Sequence, residues 1–440
     1  MKTLMHIIFF IKERFTHPNL MRGLRECVPL DGVSRSELLS TVDKKLTRLL
    51  LAAVRDVPYY RALAEKGRID RDNPKLEQFP IISKADIRGH EDEFISCKYG
   101  KGELGRTRTS GSTGEPFMFY RGKGEWDASY AALWRGLFRL GIRMGDKRAF
   151  VKGVNDRPRL SLLMRLKRKL YEIVNRCIVI DAHFLALSEQ NVFSAIERIR
   201  RYRPVYLHGY VSSIDLLAAT AEQHGISLCA IGVKMVVTES EKLYDFQRDR
   251  IGRVFNCKVM ENYGCVEVGM IAQPDGDGNL CVNEDHVLLE VDADGSAVIT
   301  NLDGFAFPFI RCKNGDCVTL REEKRSRLPY AEIERVDGRK TDMIRLPQGG
   351  ALQGFIVMHP LYKHGKYLKA YQVYQPDLTH LIIRISAWSE IPQSILSQIM
   401  KEMAGLVGPD VMISVEFRDE IPLSKRGKRL FICSDVKEIV

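Results

Sequence analysis

The sequence predicts an α/β fold with mostly parallel sheets flanked by helices, then a β-rich subdomain and a small α+β domain. Three observations point to this fold. Short apolar runs alternate with helical patterns between about residues 148 and 262, as in a parallel sheet with helices on its faces. After about residue 280 the strands shorten and Asp-Gly and Asn-Gly turns become dense. A polar, turn-prone stretch at 337–343 predicts a boundary between an N-terminal domain, 1–337, and a C-terminal domain, 338–440.

Individual elements follow from the hydrophobic pattern. The first hundred residues look helical, because apolar side chains such as Leu49, Leu50 and Ala53 recur at helical spacing. An amphipathic stretch at 125–140 predicts another helix. In the alternating region we predict strands at 177–180, 205–207, 233–237 and 254–260, and helices at 187–203, 211–224 and 241–251. In the last hundred residues we predict a helix around 391–405 and a strand at 412–417.

Composition limits the kind of partner. The chain has 440 residues, of which 45% are hydrophobic and 28% charged, as is ordinary for a globular protein. A net charge of +11 favours anionic partners such as nucleotides, coenzyme A, acidic lipid surfaces or nucleic acid. Because the chain carries no recognised nucleic-acid motif, we expect no nucleic acid among its partners.

The cysteines and the N-terminus bear on location. Ten cysteines occur without a Cys-x-x-Cys pair, which argues against a zinc ribbon or a thioredoxin-like site. No secretion signal is evident, so we expect reduced thiols and a cytoplasmic protein. The apolar run within residues 1–11 is too short to span a bilayer. We interpret it as the start of a helix that packs on the body; the alternative is a membrane-surface anchor.

The stretch 109–116 reads Thr-Ser-Gly-Ser-Thr-Gly-Glu-Pro and is the most informative feature of the chain. Its first six residues hold four hydroxyls and two glycines. Such a loop can aim backbone N–H groups and hydroxyls at one anion. The Gly-Lys-Ser/Thr ending of a Walker A loop is missing. The stretch therefore predicts a phosphate-binding loop of another kind, with a polar linker as the alternative.

A second motif, 261–267, reads Glu-Asn-Tyr-Gly-Cys-Val-Glu and directly follows a predicted strand. Ligands of parallel sheets bind beyond the carboxyl ends of the strands. Tyr263 could stack on a base there, and Glu267 could hold a divalent cation. The alternative is a strand-ending Tyr-Gly turn with a solvated glutamate.

Two further motifs lie downstream. Asp316 ends the stretch 308–316 after a tight turn, where a carboxylate can accept hydrogen bonds from ribose hydroxyls. The alternative is an Asn-Gly-Asp surface turn. In the stretch 422–428 a Gly-Lys pair places the ammonium of Lys428 where it can meet developing negative charge. A basic solvated hairpin is the alternative.

Together and in this order, the motifs resemble those of the adenylate-forming superfamily, which includes acyl-CoA synthetases, luciferases and peptide-synthetase adenylation domains. The matching segments are 109–116, 263–267, 311–316, 338–339 and 422–428. Segments 57–61, 82–88 and 208–210 look like the phenylacetate–CoA ligase and capsule-biosynthesis, CapK-like, branch.

The sequence departs from the family pattern at two places. At the hinge, Thr341 occupies a position that usually holds a charged residue, which puts the ease of domain rotation in doubt. Some members of the branch also carry a Cys/His zinc cluster. In this sequence the corresponding region contains Cys281, His286, Cys312 and Cys317. The Cys-x-Cys-Gly segment is absent after residue 317, so we expect no zinc.

The resemblance assigns roles to the motif residues. It implies that the loop holds the β- and γ-phosphates of ATP, through Thr109, Ser110, Gly111, Ser112, Thr113 and Gly114. It implies an adenine pocket lined by Tyr263, with Asn262 and Gly264 as further cofactor-binding residues. It places Asp316 on the ribose with support from Arg339. It also places Mg²⁺ on Glu267, and the acyl-adenylate near Ser240 and Glu241. Lys428 would bridge the carboxylate and the α-phosphate, which makes Lys428, Glu267 and Thr113 the expected catalytic residues.

The implied activity is that of an ATP-dependent, AMP-forming ligase that activates a carboxylic acid and transfers it to an acceptor. ATP, Mg²⁺ and, by default, coenzyme A would be its cofactors, and the C-terminal domain would be mobile about the hinge. One alternative joins the acyl group to an amine or sugar in surface polysaccharide biosynthesis. Another is a nucleotide-binding relative without turnover. A basic run at 159–176 leaves peripheral membrane contact open beside a solvated helix face.

Overall fold

The computed structural model describes residues 2–108, 117–152, 162–182, 185, 188–339, 343–362, 364–365, 367–423 and 429–436. Their strands form a parallel five-stranded sheet, an antiparallel seven-stranded sheet, a mixed four-stranded sheet and two short hairpins. The predicted α/β class is therefore confirmed, with one parallel sheet rather than several.

The N-terminal region is helical, as predicted. Its helices are α1 (Lys2–Thr16), α2 (Leu20–Cys27), α3 (Arg35–Asp56), α4 (Pro58–Glu65) and the single turn α5 (Lys84–Ile87). Ser34 caps α3 in a capping box with Glu37, which satisfies backbone N–H groups of the first turn. The stripe that predicted the helix, including Leu49, Leu50 and Ala53, is buried in the core.

A hairpin follows, formed by β1 (Gly105–Arg108) and β2 (Met118–Arg121). Its register pairs Arg108 with Met118, so the two chain ends that flank the stretch 109–116 lie side by side. The stretch itself is outside the described residues. Helix α6 (Trp126–Arg139) comes next and confirms the predicted helix at 125–140.

The parallel sheet has the order β4-β3-β5-β6-β7. Its strands are β3 (Arg148–Lys152), β4 (Cys177–Asp181), β5 (Tyr206–Tyr210), β6 (Met235–Glu239) and β7 (Lys258–Glu261). The connecting helices are α7 (Leu162–Val174), α8 (Glu189–Tyr202), α9 (Val211–Gln223) and α10 (Asp245–Phe255). The predicted alternation is confirmed.

Several predicted bounds in this region were wrong. The predicted strand at 254–260 began too early, because Val254 and Phe255 form the last turn of α10. Asn256 ends that helix in the left-handed conformation, at φ 52°. The helix predicted at 241–251 starts only at Asp245, since the preceding residues form the loop beyond β6.

The antiparallel sheet has the order β11-β12-β13-β14-β10-β9-β8. Its strands are β8 (Tyr263–Cys265), β9 (Gly269–Pro274), β10 (Leu280–Val282), β11 (Val287–Val291), β12 (Ser296–Asn301), β13 (Cys312–Leu320) and β14 (Glu332–Arg339). The predicted β-rich subdomain therefore exists but starts near 263 rather than 280. The Tyr263 motif lies where the two large sheets meet.

The last part of the chain is the predicted compact α+β module. Its elements are the hairpin β15 (Met343–Arg345) and β16 (Ala351–Gln353), α11 (Gly354–Tyr362), β17 (Leu368–Asp377), β18 (His380–Ala387), α12 (Gln393–Val407), β19 (Met412–Phe417) and β20 (Ile432–Ser434). The expected helix and strand near 391–405 and 412–417 are α12 and β19. Since 340–342 lies outside the described residues, the domain boundary stays a prediction. None of the helices in the described ranges combines the length and the hydrophobicity that a membrane span requires.

Candidate active site

The carboxyl ends of β6 and β7 carry the first group of predicted residues. Asn262 directly follows β7, and its backbone N–H donates a hydrogen bond of 2.8 Å to the carbonyl of Thr238 on β6. The Asn262 side chain is only 4% exposed. Its Nδ2 group is buried and has no hydrogen-bond partner among the described residues. Because a buried donor without a partner is costly, this amide is suited to an acceptor on a bound ligand.

Tyr263 and Asp316 meet beside Asn262. The Tyr263 hydroxyl donates to Asp316 Oδ2 over 3.1 Å, and Asn314 Nδ2 donates to both groups, over 2.9 Å and 3.0 Å. Burial and the neighbouring Asp316 raise the pKa of Tyr263, so its phenol stays a donor. Asn314 Oδ1 also accepts from the backbone N–H of Asp316, over 2.9 Å. This network fixes the orientation of a half-buried carboxylate.

Arg339 lies opposite Asp316 in the antiparallel pairing of β13 and β14. The predicted ribose residue and its predicted support are therefore neighbours on adjacent strands. Gly264 lies on β8 next to Tyr263, with its Cα facing the backbone of β9 so closely that a Cβ would be 2.3 Å from the carbonyl oxygen of Gly269. Only glycine fits there without moving the strands.

Glu267 is buried and paired with Lys84, whose Nζ lies 2.6 Å from Oε1. Burial alone would raise the pKa of Glu267, but the Lys84 ammonium outweighs it and the pKa is lowered. The carboxylate is therefore ionised at neutral pH. Lys84 begins α5 and is held near β13, since Ile82 exchanges backbone hydrogen bonds with Arg311 and Lys313 over 3.0 Å and 2.8 Å.

Lys84 is a partner that sequence reasoning missed. It lies within the stretch 82–88, which was noted only for its resemblance to one branch. Nothing in the spacing between Lys84 and Glu267 indicates their contact, because it depends on the pairing of the 82–84 segment with β13.

Ser240 and Glu241 follow β6. Ser240 has φ 71°, an uncommon backbone conformation for a residue other than glycine. The Glu241 carboxylate accepts from the backbone N–H and the hydroxyl of Ser212, over 2.7 Å and 3.0 Å. It also accepts from the backbone N–H of Arg429, over 2.9 Å. Glu241 thus joins the start of α9 to the segment that directly follows Lys428 in the chain.

The motif His208-Gly209-Tyr210 lies at the carboxyl end of β5. His208 is buried, stacks on Phe150 with ring centres 5.1 Å apart, and its Nε2 lies 2.9 Å from Glu239 Oε2. Gly209 has φ 151°, and a Cβ there would lie 1.8 Å from the carbonyl oxygen of Val151 on β3. The glycine therefore allows β3 and β5 to pack closely at the edge where the site lies.

The remaining predicted site residues are outside the described ranges. They are Thr109, Ser110, Gly111, Ser112, Thr113, Gly114 and Lys428, together with the hinge residue Thr341. Their roles stay predictions.

The cysteines and the histidine considered above for a zinc cluster do not form one group in the described ranges. His286 is held by Asp303 Oδ2 at 2.7 Å from Nδ1 and by the carbonyl of Val268 at 2.8 Å from Nε2. Burial raises the pKa of the Cys281 thiol to about 11 and that of Cys312 to about 12. In the ranges that the structure covers, no group of three or more His, Cys, Asp or Glu side chains could hold a metal ion.

Comparison with known proteins supports the resemblance that the sequence indicates. No protein-family model matches the chain. Protein CapK of Staphylococcus aureus is 23% identical over 447 residues, which cover 97% of this chain and 95% of that protein. This match over nearly the whole chain confirms the resemblance to the CapK-like branch. Phenylacetate-coenzyme A ligase of Thermus thermophilus, another similar protein, is 24% identical over 320 residues, or 67% of this chain and 68% of that ligase.

Solved structures of a CoA ligase share the fold. 2-Hydroxyisobutyryl-CoA ligase in the postadenylation state, in complex with R3-HIB-AMP, matches with a TM-score of 0.73 at 18% identity. The match covers 92% of this chain and 91% of that ligase. The same ligase with 2-HIB-AMP and CoA in the thioesterification state gives a TM-score of 0.60.

Proposed function

We propose that this protein is an ATP-dependent, AMP-forming carboxylate ligase that makes an acyl-adenylate and transfers the acyl group to an acceptor, by default coenzyme A. The observation that carries the proposal is the buried, unpartnered amide of Asn262 beside the hydrogen-bonded pair of Tyr263 and Asp316. Asn262 lies at the carboxyl end of β7 in the parallel sheet, where nucleotides bind in α/β proteins. Tyr263 and Asp316 lie beside it on the antiparallel sheet.

In this proposal the adenine lies against Asn262, Tyr263 and Gly264. The Asn262 amide donates to a ring nitrogen, and its desolvation cost is then offset. The Asp316 carboxylate accepts from ribose hydroxyls, with Arg339 on the adjacent strand. The phosphates extend toward the loop 109–114, whose flanking strands form the β1–β2 hairpin.

Glu267 is suited to bind Mg²⁺, because Mg²⁺ prefers carboxylate oxygens and the lowered pKa of Glu267 keeps its carboxyl group ionised. When bound, Mg²⁺ would neutralise charge on the phosphates. Lys84 holds the same carboxylate at 2.6 Å and so keeps the buried charge compensated in its absence. Lys84 therefore positions Glu267 in this proposal.

The chemistry has two steps. In the first, a carboxylate oxygen of the substrate forms a bond to the α-phosphorus of ATP, and the bond to the pyrophosphate oxygen breaks. Negative charge gathers as this happens, and the ammonium of Lys428 and the hydroxyl of Thr113 would stabilise it. In the second step the acceptor attacks the acyl carbon and AMP leaves.

We propose that the two steps use the two domains 1–337 and 338–440 in different relative orientations. The TM-score is higher for the postadenylation state of 2-hydroxyisobutyryl-CoA ligase than for its thioesterification state, which supports an arrangement that precedes the second step. The Glu241–Arg429 hydrogen bond would hold the segment after Lys428 against the parallel sheet in that arrangement.

The test is pyrophosphate release with ATP and Mg²⁺ over a panel of aryl, fatty, hydroxy and amino acids, with hydroxylamine as a surrogate acceptor. We expect one acid class to stimulate release and to yield its hydroxamate. Coenzyme A, amines and sugars are then compared as acceptors for that acid. ATP binding without release from any acid in the panel would contradict the proposal and support a nucleotide-binding protein without turnover.

A further inference from the structure

Two helices at the surface, α1 and α7, pack beside each other. Both turn apolar side chains away from the protein. Among the described residues, eight exposed large apolar side chains belong to these two helices, and the others are scattered over the surface. The eight are Ile7, Phe10, Ile11 and Phe15 of α1, and Leu166, Leu170, Tyr171 and Ile173 of α7. We call this area the α1–α7 surface.

Helix α1 is apolar on two opposite sides. Its inner side is anchored by Phe9, which is buried and meets the Trp134 ring edge-to-face with centres 6.3 Å apart. The positions 7, 10, 11 and 15 recur at helical spacing and form a stripe on the outer side. Phe15 at the end of that stripe is 82% exposed. Packing against the rest of the protein explains why the inner side of α1 is apolar, but it does not explain the apolar stripe on the outer side.

The described side chains of helix α7 include two that make polar contacts with the body of the protein. Arg168 donates to the carbonyl of Val179 over 2.9 Å, and Glu172 pairs with Arg198 over 2.6 Å. Leu166, Leu170 and Ile173 share the opposite side and are exposed. A surface helix with outward-facing leucines is suited to contact an apolar partner, such as a membrane or another protein.

Basic residues flank the apolar side chains. Lys167 and Lys169 are exposed on either side of the Leu166–Leu170 stripe, and Arg14 is exposed beside Phe15. The two helices together contain seven lysines or arginines and two glutamates. An apolar stripe between flanking basic side chains matches the headgroup and upper acyl region of an anionic bilayer.

We propose that the α1–α7 surface binds reversibly to an anionic lipid bilayer, with the apolar stripe in the headgroup–acyl boundary and the lysines on lipid phosphates. The excess of basic residues favours this occupant over a second copy of the chain, which would bring like charges together. The inference does not depend on the proposed catalytic function, since it uses none of its residues.

The experiment is co-sedimentation of the full chain with vesicles of phosphatidylcholine alone and with about 30% phosphatidylglycerol. The test variant is F15S/L170S, which removes two exposed apolar side chains, and K167Q/K169Q removes two charges. The matched control is M412S/F417S, which changes two exposed side chains on β19 in another part of the protein. Circular dichroism and thermal unfolding check that each variant stays folded.

We expect binding to the anionic vesicles, weak binding to the neutral ones, and loss of binding as salt rises. F15S/L170S should lower the partition constant about tenfold or more, and K167Q/K169Q should do so on anionic vesicles only. M412S/F417S should leave it unchanged. The proposal is overturned by absent vesicle binding or by binding that F15S/L170S leaves intact. It is also overturned by a stable dimer, seen by light scattering, that F15S/L170S dissociates while vesicles fail to bind.

Discussion

The hydroxyl of Tyr263 donates a hydrogen bond of 3.1 Å to the carboxylate of Asp316, 53 residues further along the chain. The two residues lie on β8 and β13, which are not neighbours in the antiparallel sheet. Their contact joins two motifs that the sequence could place only in order, and it fixes the carboxylate proposed to hold the ribose.

We expect Tyr263→Phe to weaken ATP binding about fivefold, because it removes one hydrogen bond to a carboxylate and leaves the ring in place. Asp316→Ala should weaken it more, since the carboxylate itself is lost. Isothermal titration of each variant with ATP measures both effects. Unchanged ATP affinity in Asp316→Ala would remove this residue from the proposed ribose contact.

Asn262→Ala should lower ATP affinity about tenfold and leave the free energy of unfolding unchanged or slightly higher, because the deleted amide donor has no partner among the described residues. Asn283 is the matched control. Its amide donates to the carbonyl of Met270 over 3.2 Å and its oxygen accepts from Arg135 over 2.9 Å. Asn283→Ala should cost about 2 kcal/mol of stability. Urea unfolding and ATP titration measure the two quantities. A loss of stability in Asn262→Ala with unchanged ATP affinity would contradict the assigned role of Asn262.

The buried ion pair between Arg135 and Asp285, 2.7 Å long, should control stability in acid. Burial would raise the pKa of Asp285, but Arg135 outweighs it and the pKa is lowered. A carboxyl group with a lowered pKa stabilises the fold above its unfolded pKa, and that stability is lost as pH falls through the folded pKa. We expect Asp285→Asn to cost about 3 kcal/mol near neutral pH and to flatten the loss of stability below about pH 4.

Urea unfolding across a pH series checks this expectation. Glu26→Gln is the control, because the Arg22–Glu26 pair is exposed and exposed pairs contribute little. Equal pH dependence of Asp285→Asn and the wild type would show that another carboxyl group dominates acid unfolding.

Gly209→Ala should destabilise the protein by about 3 kcal/mol or more, because the new Cβ would lie 1.8 Å from the Val151 carbonyl oxygen. Gly102→Ala, where a Cβ meets nothing within 4 Å, is the control. Thermal unfolding of the two variants compares them. A melting temperature of Gly209→Ala equal to that of the control would mean that β3 and β5 can separate at this edge.

Much of the fold could be predicted because its signals are local. The alternation of apolar runs with helical patterns predicted the parallel sheet, and the leucine spacing near Leu49 predicted α3. The prediction for the end of α10 was wrong, because Val254 and Phe255 are residue types common in strands. In the structure they belong to the helix and pack in the core that it forms with the parallel sheet. Tertiary packing, which a local window does not contain, decided that boundary.

The site was predictable in its residue types and order but not in its partners. The Lys84–Glu267 pair and the hydrogen bonds of Asn314 to Tyr263 and Asp316 join distant parts of the chain. The missing partner of Asn262 is likewise a property of the folded surroundings. Such contacts follow from strand pairing and burial, which the spacing of motifs does not specify.

The most direct test of adenylate formation is exchange of labelled pyrophosphate into ATP in the presence of the activating acid, by wild type and by Lys428→Ala. Lys425→Ala, a nearby lysine in the same segment, is the control. We expect acid-dependent exchange in the wild type and Lys425→Ala, and a loss of about a hundredfold or more in Lys428→Ala with ATP binding retained. Near-normal exchange by Lys428→Ala would contradict the role of that lysine, and absence of exchange with any acid in the wild type would contradict the proposed reaction.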